Sequence, residues 1–110
     1  MASQEPAQYA EAMTAQFEYD VVDNTEASRY EARLTDGAVA GYLEYRVEGG
    51  TVVMPSTVVD PRYRGHGIAA RLARNALDEA RTGRKKVEPR CWYLAEYIEK
   101  HPEYADLVGD

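Results

Sequence analysis

The segment VVDPRYRGHGIAARL, Val58 to Leu72, carries the residues whose types and spacing could do chemistry. Gly65 and Gly67 stand where a β-branched run gives way to a helical pattern, with Arg62, Arg64 and His66 interleaved. A helix N-terminus presents backbone N–H groups without intrahelical partners, together with a partial positive charge. Glycines ahead of it let the backbone curl so that consecutive N–H groups converge on one anion. The spacing is Arg, two residues, Gly, one residue, Gly, and the helical pattern begins at Ile68 and Ala69. These residues suit a phosphorylated ligand. A basic, flexible turn without a ligand is the other reading of the same residues.

The flanking pattern predicts the elements that position this loop. FEYDVVDN and SRYEARLT alternate apolar residues (Phe17, Tyr19, Val21; then Tyr30, Ala32, Leu34), a strand signal. Asp36-Gly37 marks a hairpin turn into a third strand, AVAGYLEYRV, and Gly49-Gly50 a turn into a fourth, TVVMPSTVV. Pro55 lies inside that fourth strand and cannot donate to a ladder, so a bulge or a splayed strand is expected there. Ile68, Leu72, Ala76 and Ala80 then recur at helical spacing, with Ala69, Ala73 and Leu77 widening the stripe. Gly83 is placed for a left-handed C-terminal cap. KKVEPRCW reads as a fifth, short strand in which Pro89 suggests an edge or a break, and YLAEYIEKH as a second helix stopped by His101-Pro102. The expected order is four strands, helix, strand, helix.

A chain of 110 residues is expected to form one domain. Residues 1–16 read as a flexible lead and 17–110 as the domain. A net charge of −6 speaks against nucleic acid as a partner. Cys91 is the single cysteine, which excludes an internal disulfide, and no Cys/His cluster has metal-ligand spacing. There is no secretory signal pattern and no apolar run long enough to span a membrane, so a cytoplasmic protein without a membrane or metal partner is expected.

VDPRYRGHGIAARL resembles the acyl-CoA-binding segment of the Gcn5-related N-acetyltransferases. KVEPRCWYLAEYIEKHPEYADLV, Lys86 to Val108, resembles the C-terminal segment of the small YjdJ-type branch of that superfamily. The resemblance implies an α/β (α+β) fold: a mixed, mostly antiparallel sheet of about five strands with two C-terminal helices. Strands four and five would splay around the pantetheine arm of acetyl-CoA (or CoA). By position, Val59 would offer backbone groups to the pantetheine. Arg62, Arg64, Gly65, His66, Gly67, Ile68 and Ala69 would hold the phosphates. The basic group Arg81, Arg84, Lys85 and Lys86 could meet the 3′-phosphate, but cations near a helix C-terminus also answer the macrodipole, and that reading is preferred.

The activity so implied is transfer of acetyl from acetyl-CoA to an amine in a ternary complex. Transfer needs a neutral amine, a stabilised thioester oxygen and a proton for the departing thiolate. A tyrosine on the final helix often supplies that proton in the superfamily; Tyr93 and Tyr97 share a helix face, with Tyr97 slightly favoured. Cys91 is either a covalent acetyl carrier or a small hydrophobe lining the channel. Relatives tend to read His-Thr-Glu-Val where this chain has Ser56-Thr57-Val58-Val59, so the usual strand-four glutamate is absent. That absence favours a rival: a non-catalytic module of the same fold that binds or senses acyl-CoA. The short connection DNTEA between strands one and two leaves the acceptor side open, which suits an exposed acceptor such as a protein amine.

Overall fold

The computed structural model describes residues 17–109, and the expected N-terminal lead lies outside them. The fold is mixed α+β. Strands β1 (Tyr19–Asn24) and β2 (Arg29–Leu34) form an antiparallel hairpin in register from Tyr19 opposite Leu34 to Asn24 opposite Arg29. β3 (Val39–Glu44) continues the sheet after a turn in which the Asp36 carboxylate accepts from the Ala38 N–H and Gly37 takes φ +90°. On the sheet's outer face Glu31 is 2% exposed. Burial alone would raise its pKa, but hydrogen bonds from Arg29, Asn24 and Arg33 outweigh burial and hold it at about 2.

The third and fourth predicted strands each divide in two. The third breaks at Tyr45 into β3 and β4 (Arg46–Glu48), the fourth at Pro55-Ser56 into β5 (Thr51–Met54) and β6 (Thr57–Val59). Among the described residues this gives seven strands, in two sheets rather than one: β1-β2-β3-β6, and β4-β5-β7 with β7 at Lys86–Pro89. The physical cause is a bulge. Around Gly49-Gly50, Arg46 faces Val53 and Glu48 faces Thr51, whereas beyond the break Gly41 faces Val59 and Leu43 faces Thr57. The paired numbers sum to 99 in one ladder and to 100 in the other, so one extra residue sits on the proline-bearing strand.

Helix α1 (Ile68–Thr82) buries Ile68, Leu72, Ala73, Ala76, Leu77 and Ala80, the stripe its periodicity predicts, against the inner faces of β2 and β3. Leu43, Met54, Leu72, Leu77 and Leu94 are the large side chains at the centre of the core. Gly83 itself has φ −80°; the left-handed residue is Arg84 at φ +56°. Lys85 N–H donates to the Ala80 carbonyl and Arg84 N–H to that of Arg81, a Schellman closure set one residue beyond the glycine. β7 pairs parallel with β5 and leads into α2 (Trp92–Lys100), which ends at His101 before Pro102. A 3-10 segment, Pro102–Leu107, folds back along α1, and the Arg81 guanidinium clasps both carboxylate oxygens of Asp106.

Candidate active site

The chain forks where the two sheets part. Arg90 N–H and Cys91 N–H both donate to the Met54 carbonyl at 3.1 Å, pinning the end of β7 to the end of β5. From there β6 departs with the first sheet and α2 turns away on the other side. The Cys91 thiol reaches across to the Thr57 hydroxyl at 3.6 Å, closing the apex of the fork. Cys91 is buried and is the N-cap residue of α2.

Among the described residues β6 is an edge strand, bonded only to β3. Asp60 N–H donates to the Ala40 carbonyl and Glu44 N–H to that of Ser56, so the hydrogen-bonded pairs fall at even positions of this ladder. Alternation then leaves the backbone groups of Thr57 and Val59 facing the open side of the fork. Val59 is therefore placed to offer its amide and carbonyl to an extended ligand. Gly41 makes the pairing possible: a Cβ there would lie 2.8 Å from the Val58 carbonyl oxygen and 3.3 Å from Val59 Cα.

After β6, Asp60 caps a short 3-10 turn, Pro61–Tyr63, by accepting from the Arg62 N–H at 2.9 Å. Gly65 at φ +87° and Gly67 at φ +71° then bend the chain into α1, conformations that other residues adopt at a cost. Gly67 is the N-cap of α1 and supplies no side-chain cap. The first-turn N–H groups of Ile68, Ala69 and Ala70 thus have no intrahelical partner. A Cβ on Gly65 or Gly67 would meet nothing within 4 Å, so that side of the loop is open. A cavity of about 250 Å³ lies beside it, lined by Val59, Tyr63, Arg64, Gly65, Gly67, the first turn of α1 and Tyr93. Edge strand, glycine loop, helix N-terminus and two tyrosines, Tyr63 and Tyr93, thus share one cleft.

Not every expected residue reaches that cleft. The Arg62 guanidinium lies on Asp60, with Nη2 to Oδ2 at 2.8 Å, and that hydrogen-bonded pair raises the Arg62 pKa and lowers that of Asp60. The His66 ring stacks on Phe17 with centroids 3.8 Å apart. Arg64 does line the cavity. Of the two α2 tyrosines, Tyr93 is half-buried on the cleft wall, its pKa raised by burial and then by neighbouring Tyr97 and Glu96. Tyr97 is packed away from it, stacked on His101 at 3.9 Å and against Tyr104 at 6.3 Å. Burial raises the Tyr97 pKa too, and the charges that act on it are those of Arg74, Glu103 and Asp78. The basic group Arg81, Arg84, Lys85 and Lys86 sits at the other end of α1, about 20 Å along the axis from Gly67. Arg81 and Lys86 are spent there on Asp106, which fits the structural reading of that group.

Gly41, Thr57 and Glu44 shape the fork and are absent from the site residues expected from the sequence. A glycine in mid-strand is a signal of close backbone approach and could have pointed to Gly41. Thr57 and Glu44 become visible only once the register is known. Glu44 is half-buried and accepts a hydrogen bond from the Ser56 hydroxyl, at the residue where the fourth strand changes sheet.

A glycine loop that opens a helix beside two parting strands is the arrangement that the sequence resemblance implies. The family model for the GCN5-related N-acetyl-transferases matches residues 29–107, and the chain belongs to that family. Protein NATD1 of Mus musculus is 33% identical over 75 residues, 67% of this chain and 68% of that one. Its Gallus gallus counterpart is 38% identical over 61 residues, 54% of this chain and 56% of the relative. The solution structure of a GCN5-like protein from Staphylococcus aureus shares the fold with a TM-score of 0.63 at 18% identity, covering 86% of this chain and 89% of that one. Among the described residues no helix is long and apolar enough to cross a membrane.

Proposed function

We propose that the protein transfers acetyl from acetyl-CoA to an amine. The observation that carries this reading is the single cleft shared by Val59 on the strand edge, the open glycine loop and the N-terminus of α1. The N–H groups of Ile68, Ala69 and Ala70 would hold the pyrophosphate, with Arg64 adding charge and Gly65 and Gly67 keeping the approach clear. Backbone groups of Val59 and Thr57 would hold the pantetheine arm. When bound, acetyl-CoA supplies the acetyl group as a thioester. The Thr57–Cys91 contact marks the depth to which its sulfur would reach.

Tyr93 is the better acid than Tyr97. It stands on the cleft wall, and a tyrosine hydroxyl is protonated at neutral pH. Cys91 is read as the inner wall of the channel, its thiol engaged with Thr57 rather than free to carry acetyl. Direct transfer between bound partners follows. The acceptor class is an exposed amine, because the described residues build no enclosed chamber over the outer face of the β6 edge.

Titration calorimetry with CoA, read beside Trp92 fluorescence, tests the cleft. Trp92 is 74% exposed and follows Cys91, so its emission should change as the arm enters. Release of free thiol from acetyl-CoA in the presence of amines tests turnover. Absence of CoA binding would overturn the reading; tight binding without turnover on any amine would make the protein an acyl-CoA-binding module instead.

A further inference from the structure

The fourth strand carries Val58 where a carboxylate would serve the acceptor, yet a carboxylate stands beside it. The register of β3 on β6 sets Tyr42 opposite Val58, and one same-face step further, about 7 Å, sets Glu44 opposite Ser56. Both positions are on the outer face of the sheet, away from α1. The Ser56 hydroxyl donates to Glu44 Oε1, which fixes the carboxylate at the bulge. Its cross-strand neighbour on the other side is Arg29, but that guanidinium is committed to Glu31 at 2.7 Å and lies 4.2 Å over the Tyr42 ring. Among the described residues no arginine or lysine forms an ion pair with Glu44. Its negative charge is therefore held in place without being neutralised. On the same face, a depression of about 330 Å³ runs from Tyr42 and Val58 to Pro61, with a largely apolar floor.

From these placements we infer that Glu44 is the general base of the reaction, acting on a primary alkylammonium whose apolar stem lies in that depression. The inference rests on the transferase reading above. The ammonium gives one proton to the Glu44 carboxylate, and the freed nitrogen lone pair forms the C–N bond at the thioester carbonyl carbon. The C–S bond then breaks, its electron pair leaving on sulfur. Tyr93 protonates that sulfur and is itself reprotonated by the second proton lost from nitrogen. Glu44 returns its proton to solvent, so the products are an amide, the CoA thiol and one proton. Ser56 is a positioning residue: its hydroxyl holds the carboxylate at the bulge.

The test compares two acceptors at pH 7.5: a lysine-containing peptide, whose amine arrives protonated, and hydroxylamine, which arrives neutral and needs no base. Glu44→Gln keeps the shape and the hydrogen bond from Ser56. It should lower kcat on the peptide by about 100-fold or more, leave transfer to hydroxylamine within about threefold, and leave CoA affinity and Tm unchanged. Ser56→Ala should lower the peptide rate about tenfold and spare hydroxylamine. Equal peptide rates for wild type and Glu44→Gln overturn the assignment alone, leaving the transferase intact. Equal losses on both acceptors make Glu44 structural and overturn it as well. Because the acceptor side is open, a working base serves any accessible lysine, so wild-type transfer to hydroxylamine only also counts against it. Wild type that binds CoA and acetylates neither acceptor overturns the transferase reading, and this inference with it.

Discussion

Gly67 offers the sharpest separation of backbone strain from anion recognition. It sits at φ +71° with nothing within 4 Å of a Cβ, so a side chain there adds conformational cost but no clash. For alanine that cost is about 1–2 kcal/mol, and at about 4–8 °C per kcal/mol for a domain of this size Gly67→Ala should melt about 4–16 °C lower. Aspartate tolerates the left-handed region better and is a good N-cap, so Gly67→Asp should melt no lower than Gly67→Ala. The order in CoA affinity should be the reverse. A carboxylate about 4 Å from one phosphate charge costs about 1 kcal/mol in bulk water and about 4 kcal/mol at the effective dielectric of a protein surface. That corresponds to a loss between about fivefold and about 1,000-fold relative to Gly67→Ala. Calorimetry with CoA at low salt and at 0.5 M salt reads the difference, which should shrink as salt screens it. If Gly67→Asp binds CoA as well as Gly67→Ala at low salt, the loop does not hold the phosphates.

Other consequences are as direct. Glu31 has its pKa held down at about 2, so the stability it contributes is fully present above pH 4.5 and is lost as pH falls from 4.5 toward 2. At about 1.4 kcal/mol per pH unit the ceiling is about 3 kcal/mol; solvent around the half-exposed Arg29 and Arg33 lowers the expectation to about 1–3 kcal/mol. Glu31→Gln should therefore unfold earlier in urea at pH 7, with the gap to wild type closing by pH 2; a gap independent of pH would refute the ion cluster. Gly41→Ala should cost about 1–3 kcal/mol, because the added carbon meets the backbone of Val58 and Val59, and it should weaken CoA binding by displacing the β6 edge; an unchanged Tm would contradict that packing. Tyr93→Phe should lower kcat by about 100-fold or more with CoA affinity kept, while Tyr97→Phe and Cys91→Ala stay within about threefold; the opposite order in steady-state kinetics would return the acid role to Tyr97 or a covalent role to Cys91.

What the sequence displays depends on the range of the interaction that fixes it. The glycine loop is legible because its determinants are contiguous: Gly65 and Gly67 supply the left-handed turns, and the Ile68 stripe starts the helix at once. The α1 core face is legible for the same reason. Tyr93 and Tyr97 are not separable by spacing, since a shared helix face says nothing about what folds over it. The 3-10 segment carrying Tyr104, with His101 before it, covers Tyr97 and leaves Tyr93 on the cleft. Arg62 in a basic loop reads as an anion ligand until its nearest carboxylate, Asp60, is seen to hold it.

Pro55 shows how one local signal can have two distant effects. Its inability to donate predicts a bulge, and the shift in paired numbers from 99 to 100 is that bulge. Because side chains alternate faces, one extra residue exchanges the faces of everything beyond it. Without it Glu44 would lie opposite Pro55; with it Glu44 lies opposite Ser56, which has a hydroxyl to hold the carboxylate. The same break sends β6 into the other sheet, freeing the edge on which Val59 lies and opening the fork closed at its apex by Thr57 and Cys91. Deleting Pro55 should therefore fuse β5 and β6 into one ladder and close the cleft while leaving Ser56 opposite Glu44, so it separates the opening of the fork from the anchoring of the carboxylate.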